Sequence, residues 1–167
     1  WEDDMLYWCV VNLTDGRVDS THEVCEGGFR SLSHLAIKHD TIYISCLTPD
    51  SNVHGVYAFD ILNPHTPKFQ YQHRGFRPDS RMVDERNFIY VCDLNSNRIY
   101  QLTDSGQLVT IHTVSSRPWR IFYDDQHGVL YTTSIMSNVI TVYRIEYSHQ
   151  PDSTLHFSMM TVTTFQE

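Results

Sequence analysis

The stretch Tyr90–Gly106, YVCDLNSNRIYQLTDSG, constrains the chain most, because the remaining sequence reads as copies of it. The β-forming residues Ile89, Tyr90 and Val91 break at a polar tight connection, Asp93 to Asn97, resume as Ile99 to Leu102, and break again at Asp104-Ser105-Gly106. Two strands and two turns fit within one short segment. A strand from Gln107 to Val114 follows the glycine turn, and another from Arg81 to Asp84 precedes the segment across Glu85-Arg86-Asn87. The unit is a four-stranded antiparallel meander of about forty residues, the size of one β-propeller blade.

Overlaying the chain on this unit finds it again on both sides. Ile42-Tyr43, Ile89-Tyr90 and Leu130-Tyr131 coincide on the second strand, and Val56, Ile99 and Ile140 on the third. On the first strand, Ser33-His34-Leu35, Ser80-Arg81-Met82 and Trp119-Arg120-Ile121 coincide. Apolar residues 5–13, a Thr14-Asp15-Gly16-Arg17 turn and a return strand to Val24 read as the outer hairpin of a further blade whose first two strands are missing. No apolar stripe of helical period exceeds two turns. The expected fold is all-β: a single propeller unit over residues 1–167, with a partial blade to about residue 30 and full blades at about 31–76, 77–116 and 117–167. Three and a half blades are half or a fragment of a six- to eight-bladed ring. The surfaces such a piece leaves open call for another chain, or the remainder of a longer polypeptide, to complete the propeller.

The phrase D-x-N-x-N-R-I from Asp93, followed by D-x-G from Asp104 and by Arg117-Pro118-Trp119-Arg120-Ile121, resembles the NHL-repeat propellers. Asp93, Arg98, Ile99, Asp104 and Gly106 are the matching positions, and Ser96 stands where the family usually has Asn. Asp93 is expected to tie its loop and Arg98 to reach a neighbouring strand.

Composition removes several classes of function. A formal charge of −8 with only two lysines, Lys38 and Lys68, supplies no basic stripe for phosphates, so no nucleic-acid partner is expected. No run of eighteen apolar residues occurs, so no membrane span is expected. The first residue is Trp rather than Met, which reads as a processed product or fragment from which any signal peptide has gone. Four scattered cysteines, Cys9, Cys25, Cys46 and Cys92, make neither a disulfide scaffold nor a zinc motif. Cys9 and Cys25 lie on the two arms of the first hairpin. A two-residue turn would put Cys9 opposite about residue 22, so a bridge to Cys25 needs a bulge or a longer turn. Asn12-Leu13-Thr14 is a glycosylation sequon if the protein is secreted, the compartment otherwise being open.

Equivalent residues on the innermost strands of a propeller converge on its central channel. His34, Arg81 and Arg120, with Trp119 beside them, are therefore the candidate ligand-binding residues, an anion or carboxylate site at the channel mouth. The competing reading has these cations bonding blade-to-blade carbonyls or pairing with Asp84, Asp124 and Asp125. Tyr43, Tyr57, Tyr90, Tyr100 and Tyr131 read as core packing between blades or as a stacking surface. Ten histidines occur without H-x-H or H-E-x-x-H, so no metal and no cofactor are expected. Propellers resembling the senescence-marker or gluconolactonase family place an acidic or amide metal ligand where this chain has Ser33, Ser80 and Trp119. No catalytic residue is assigned. The expected function is a non-enzymatic module recognising a protein, peptide or glycan through loops and channel mouth. The rivals are an invertebrate-type lectin with one sugar site per repeat and part of a propeller hydrolase or lactonase whose catalytic residues lie elsewhere.

Overall fold

The computed structural model of the chain describes residues 7–12, 14–23, 30–47, 53–114, 117–134, 136, 138–149 and 155–166. All regular structure among them is β. The strands fall into a two-stranded hairpin and three four-stranded antiparallel meanders, each in simple sequential order. Backbone contacts divide the chain into two compact units, residues 1–74 and 75–167.

The first unit holds the hairpin β1 (Tyr7–Val11) and β2 (Val18–Glu23), then β3 (Arg30–Lys38), β4 (Thr41–Leu47), β5 (His54–Asp60) and β6 (Pro67–Gln72). Gly16 closes the hairpin turn at φ 72°, a left-handed conformation that glycine adopts without a Cβ penalty. Cys9 is exposed and its Cα partner is Thr21, close to the expected register. Cys25 lies outside the described residues. In the meander, Ile42, Ile44, Cys46, Tyr57 and Phe59 are buried together on one face.

The second unit holds β7 (Pro78–Val83), β8 (Ile89–Asp93), β9 (Arg98–Leu102) and β10 (Leu108–Thr113), then β11 (Pro118–Asp124), β12 (Val129–Ser134), β13 (Val139–His149) and β14 (Leu155–Gln166). Its two sheets share one core. Met82, Tyr90, Cys92 and Ile99 from one sheet meet Ile121, Tyr123, Leu130, Tyr143 and Ile145 from the other. Strand alternation explains the pairing, since residues two apart share a face and antiparallel partners extend that face across the sheet. The β13–β14 pairing runs on to His149↔Leu155, whereas β12 leaves β13 at Arg144. Beyond Arg144 the sheet thus continues as a two-stranded ribbon.

The pairing corrects one part of the sequence overlay. Ala36, Met82 and Phe122 stand opposite the equivalent Tyr43, Tyr90 and Tyr131. His34 and Arg120 precede these positions by two residues, but Arg81 precedes Met82 by one. Arg81 is equivalent to Leu35 and Ile121, and it occupies the opposite sheet face from the position of His34 and Arg120. Each first strand carries an irregularity before this point, with one extra residue between Pro78 and Arg81 and again between Pro118 and Ile121. Matching first strands by their apolar residues slipped the register by one, which turns a side chain to the other face.

Candidate functional site

Most polar residues of the repeated turns serve the backbone. Asp93 accepts from Arg77 N at 3.1 Å and Asn95 N at 3.0 Å through Oδ1, and from Ser96 Oγ at 2.7 Å through Oδ2. Asp84 accepts from Arg86 N and Phe88 N, each at 2.9 Å, and Asp124 accepts from Gln126 N at 3.0 Å and His127 N at 3.2 Å. A carboxylate at the end of a strand is well placed to cap the open amides of the turn that follows. The hydrogen bond from His127, backed by these amides, holds the Asp124 carboxyl below its ordinary range.

The expectation for Arg98 fails. It is exposed, and its side chain makes no hydrogen bond or ion pair among the described residues. The spanning role belongs to Arg117, whose Nε donates to the Leu94 carbonyl at 2.9 Å while Nη2 makes a second, shorter contact with the same oxygen. Arg117 stands at the entrance to β11 and Leu94 in the β8–β9 turn, so this fork ties one sheet of the second unit to the other.

A buried polar chain also crosses the β7–β10 sheet, and no motif announced it. Tyr90 Oη donates to Asp84 Oδ2 at 3.2 Å and accepts from Gln101 Nε2 at 3.1 Å. Gln101 Oε1 then faces His112 Nε2 at 2.9 Å, which requires that nitrogen to carry the proton. All four residues are buried. Burial pushes the His112 imidazole down from its ordinary 6.5 to about 4, so it is neutral at physiological pH.

Of the candidate binding residues, Arg81 is buried at 1% exposure, with its Nη1 3.5 Å from the Asp79 carbonyl oxygen. His34 is half-buried in the first unit. Trp119 and Arg120 do come together. The Arg120 guanidinium lies 4.8 Å over the Trp119 ring, and its Nη1 is 2.5 Å from Oδ2 of the buried Asp79 on β7. Ser80 Oγ accepts from Ile121 N at 3.2 Å beside them. The acidic partners read from the sequence, Asp84, Asp124 and Asp125, did not include this carboxylate. Its signal was the alignment of Pro78-Asp79-Ser80 with Pro118-Trp119-Arg120. The result is an indole, 40% exposed, held under a cation whose own side chain is 44% exposed.

Tyr43, Tyr57, Tyr90 and Tyr100 are buried, as the core-packing reading holds, while Tyr131 is half-buried and lies 6.3 Å from the exposed Phe122. Asn12 is exposed, with Oδ1 accepting from Thr14 N at 2.9 Å. Among the described residues no group of three or more His, Cys, Asp or Glu is arranged to hold a metal ion, and no helix is long and apolar enough to cross a membrane.

No family model matches the sequence, and no curated protein matches it. Solved structures do. A protein provisionally named a 6-phosphogluconolactonase from Bacteroides uniformis aligns over 97% of this chain and 50% of its own, at TM-score 0.68 and 10% identity. The Dos1 propeller aligns over 96% of this chain and 42% of its own, at TM-score 0.62 and 12% identity. Virginiamycin B lyase from Staphylococcus aureus, solved with quinupristin, aligns over 94% and 61%, at TM-score 0.54 and 17% identity. The chain thus spans less than two thirds of each of these proteins. The fold they share with it is the β-propeller, and three of its four-stranded blades, with a two-stranded piece of another, are present here.

Proposed function

We propose that this chain is a non-enzymatic binding module that recognises a protein, peptide or glycan through the surface around Trp119 and Arg120. The observation carrying this reading is the Trp119–Arg120–Asp79 arrangement. A buried carboxylate fixes the guanidinium, the guanidinium lies over the indole, and both outer groups remain open to solvent. An aromatic ring beside a partly exposed guanidinium suits a sugar ring or a planar carboxylate on a peptide. The ordering cost is already met in the free protein, which favours binding.

The D-x-N-x-N-R-I and D-x-G phrases support ascribing the blades to the NHL type. One sugar site per blade finds less support, because the positions equivalent to Trp119 carry Asp79 and Ser33, neither of which offers an aromatic platform. Completion of the propeller by another chain or by the remainder of a longer polypeptide, secretion with sugar on Asn12, and a bridge between Cys9 and Cys25 belong to the same reading. A glycan array and a panel of acidic peptides, probed with the wild type and Trp119→Ala, test it. Retained folding with ligand capture lost only in the variant supports the site, and equal capture by both refutes it.

A further inference from the structure

The charges of the second unit are sorted between the two ends of its sheets. In an antiparallel meander the first and third strands begin, and the second closes, at one shared end. Arg77 immediately precedes β7, Arg98 opens β9, and Arg117 and Arg120 stand at the start of β11. The Arg77 N–H donates to Asp93 Oδ1, its carbonyl accepts from Leu94 N at 2.9 Å, and Arg117 forks onto the Leu94 carbonyl, so Leu94 joins these two arginines. Arg77, Arg98 and Arg120 are exposed and Arg117 is half-buried. The carboxylates among the described residues of this end, Asp79 and Asp93, are both buried.

The opposite end has the reverse sign. The turns after β7, β9 and β11 expose Glu85, Asp104 and Asp125, with Arg86 the one arginine among them. Lys38 and Lys68 both lie in the first unit, so the positive end is built from arginine. The planar fork of arginine matches a carboxylate, and among the described residues neither the Arg77 nor the Arg98 side chain makes a hydrogen bond or ion pair, while Arg117 bonds a neutral carbonyl. Neighbouring strands lie about 4.8 Å apart, so Arg98 on β9 and Arg77 before β7 are separated by on the order of 10 Å, within reach of carboxylates about two to four residues apart on an extended chain.

Building on the reading of Trp119 and Arg120 as a binding surface, we propose that this arginine end takes an acidic peptide segment of a partner protein, laid across the strand ends in extended form. Carboxylates of the segment pair with Arg77, Arg98 and Arg117, and a side chain between them packs on the Trp119 indole. A chain of phosphates or sulfates needs a longer basic stripe than one sheet end supplies, and the acidic opposite end repels whatever extends past it. The same polarity, on a chain of net charge −8, turns an acidic partner toward the arginine end as it approaches, so salt weakens the association.

The test is fluorescence anisotropy with a labelled hexaglutamate peptide carrying one tyrosine, its hexaglutamine counterpart, a heparin hexasaccharide and a single-stranded DNA hexamer. Hexaglutamate should bind most tightly, and raising salt from about 0.05 M to about 0.3 M should weaken it about tenfold. Arg77→Ala and Arg98→Ala should each weaken it about threefold, and together about tenfold, with unchanged circular dichroism, while Arg86→Ala at the acidic end leaves it as it was. A wild type that does not bind hexaglutamate, equal binding of hexaglutamine, tighter binding of heparin or DNA, or a double variant that binds like the wild type would overturn the proposal. Capture of a neutral ligand that is lost in Trp119→Ala but indifferent to Arg77 and Arg98 keeps the binding surface and overturns its acidic specificity. Hexaglutamate binding that is lost in the double variant but untouched by Trp119→Ala keeps the arginine site and overturns the part given to the indole.

Discussion

Acidification should weaken this protein through His112. Its imidazole is buried, donates from Nε2 to Gln101 Oε1, and is held to about 4 against 6.5 in the unfolded chain. The folded value is the lower one, so the unfolded chain binds the extra proton first. His112's contribution is complete above pH 6.5 and is lost as pH falls from there toward 4. Those two values give a loss of about 2 kcal/mol at pH 5 and about 3 kcal/mol by pH 4, at 1.36 kcal/mol per unit. His112→Phe keeps a ring of similar size but leaves Gln101 Oε1 without this donor, a cost of about 1–3 kcal/mol that does not depend on pH. Urea unfolding at pH 7.5 and pH 5.0, followed by tryptophan fluorescence, measures both terms. The variant should be less stable at pH 7.5, and its loss on going to pH 5.0 should be smaller than that of the wild type by about 2 kcal/mol. Equal losses would refute the assignment, because other histidines and the carboxylates contribute alike to both proteins.

The two ends of the D-x-N-x-N-R-I phrase should behave oppositely: Asp93→Ala removes an acceptor of three hydrogen bonds and should cost about 2–3 kcal/mol in urea unfolding, whereas Arg98→Ala should lie within about 0.5 kcal/mol of the wild type. Equal effects would mean that the phrase acts as a unit. Arg117→Ala should lower the melting temperature more than Arg98→Ala, since only Arg117 forks onto the Leu94 carbonyl, and the reverse order would sink that reading. In reduced protein Cys9 should react with a thiol reagent within minutes while Cys46 and Cys92 wait for unfolding, because burial raises the Cys92 thiol far above its ordinary range. Rapid native labelling of Cys92 would mean that the shared core of the second unit opens readily.

The strand menu was legible in the sequence, because alternation, turn glycines and Asp-rich connections are local properties, and most of the strands lie within a few residues of their expected bounds. Asp93 at its loop was equally legible, since a carboxylate two residues before an open amide and three before a serine hydroxyl needs no distant partner for those bonds. What tertiary structure decided was register and partnership. Arg81 is equivalent to Ile121 and Leu35 rather than to Arg120 and His34, so it takes the opposite sheet face from those two positions, and only the pairing of Met82 with Tyr90 and of Phe122 with Tyr131 reveals it. Asp79 was in no expected pair, and only the packing of β7 against β11 sets it beside Arg120, 41 positions away. The Asp84–Tyr90–Gln101–His112 chain likewise joins the turn after β7 to three strands, through residues with no characteristic spacing. A sequence fixes the alternation of faces along each strand. Which face meets which neighbour depends on pairing offsets of one residue, and these follow from the packing of whole sheets rather than from any local signal.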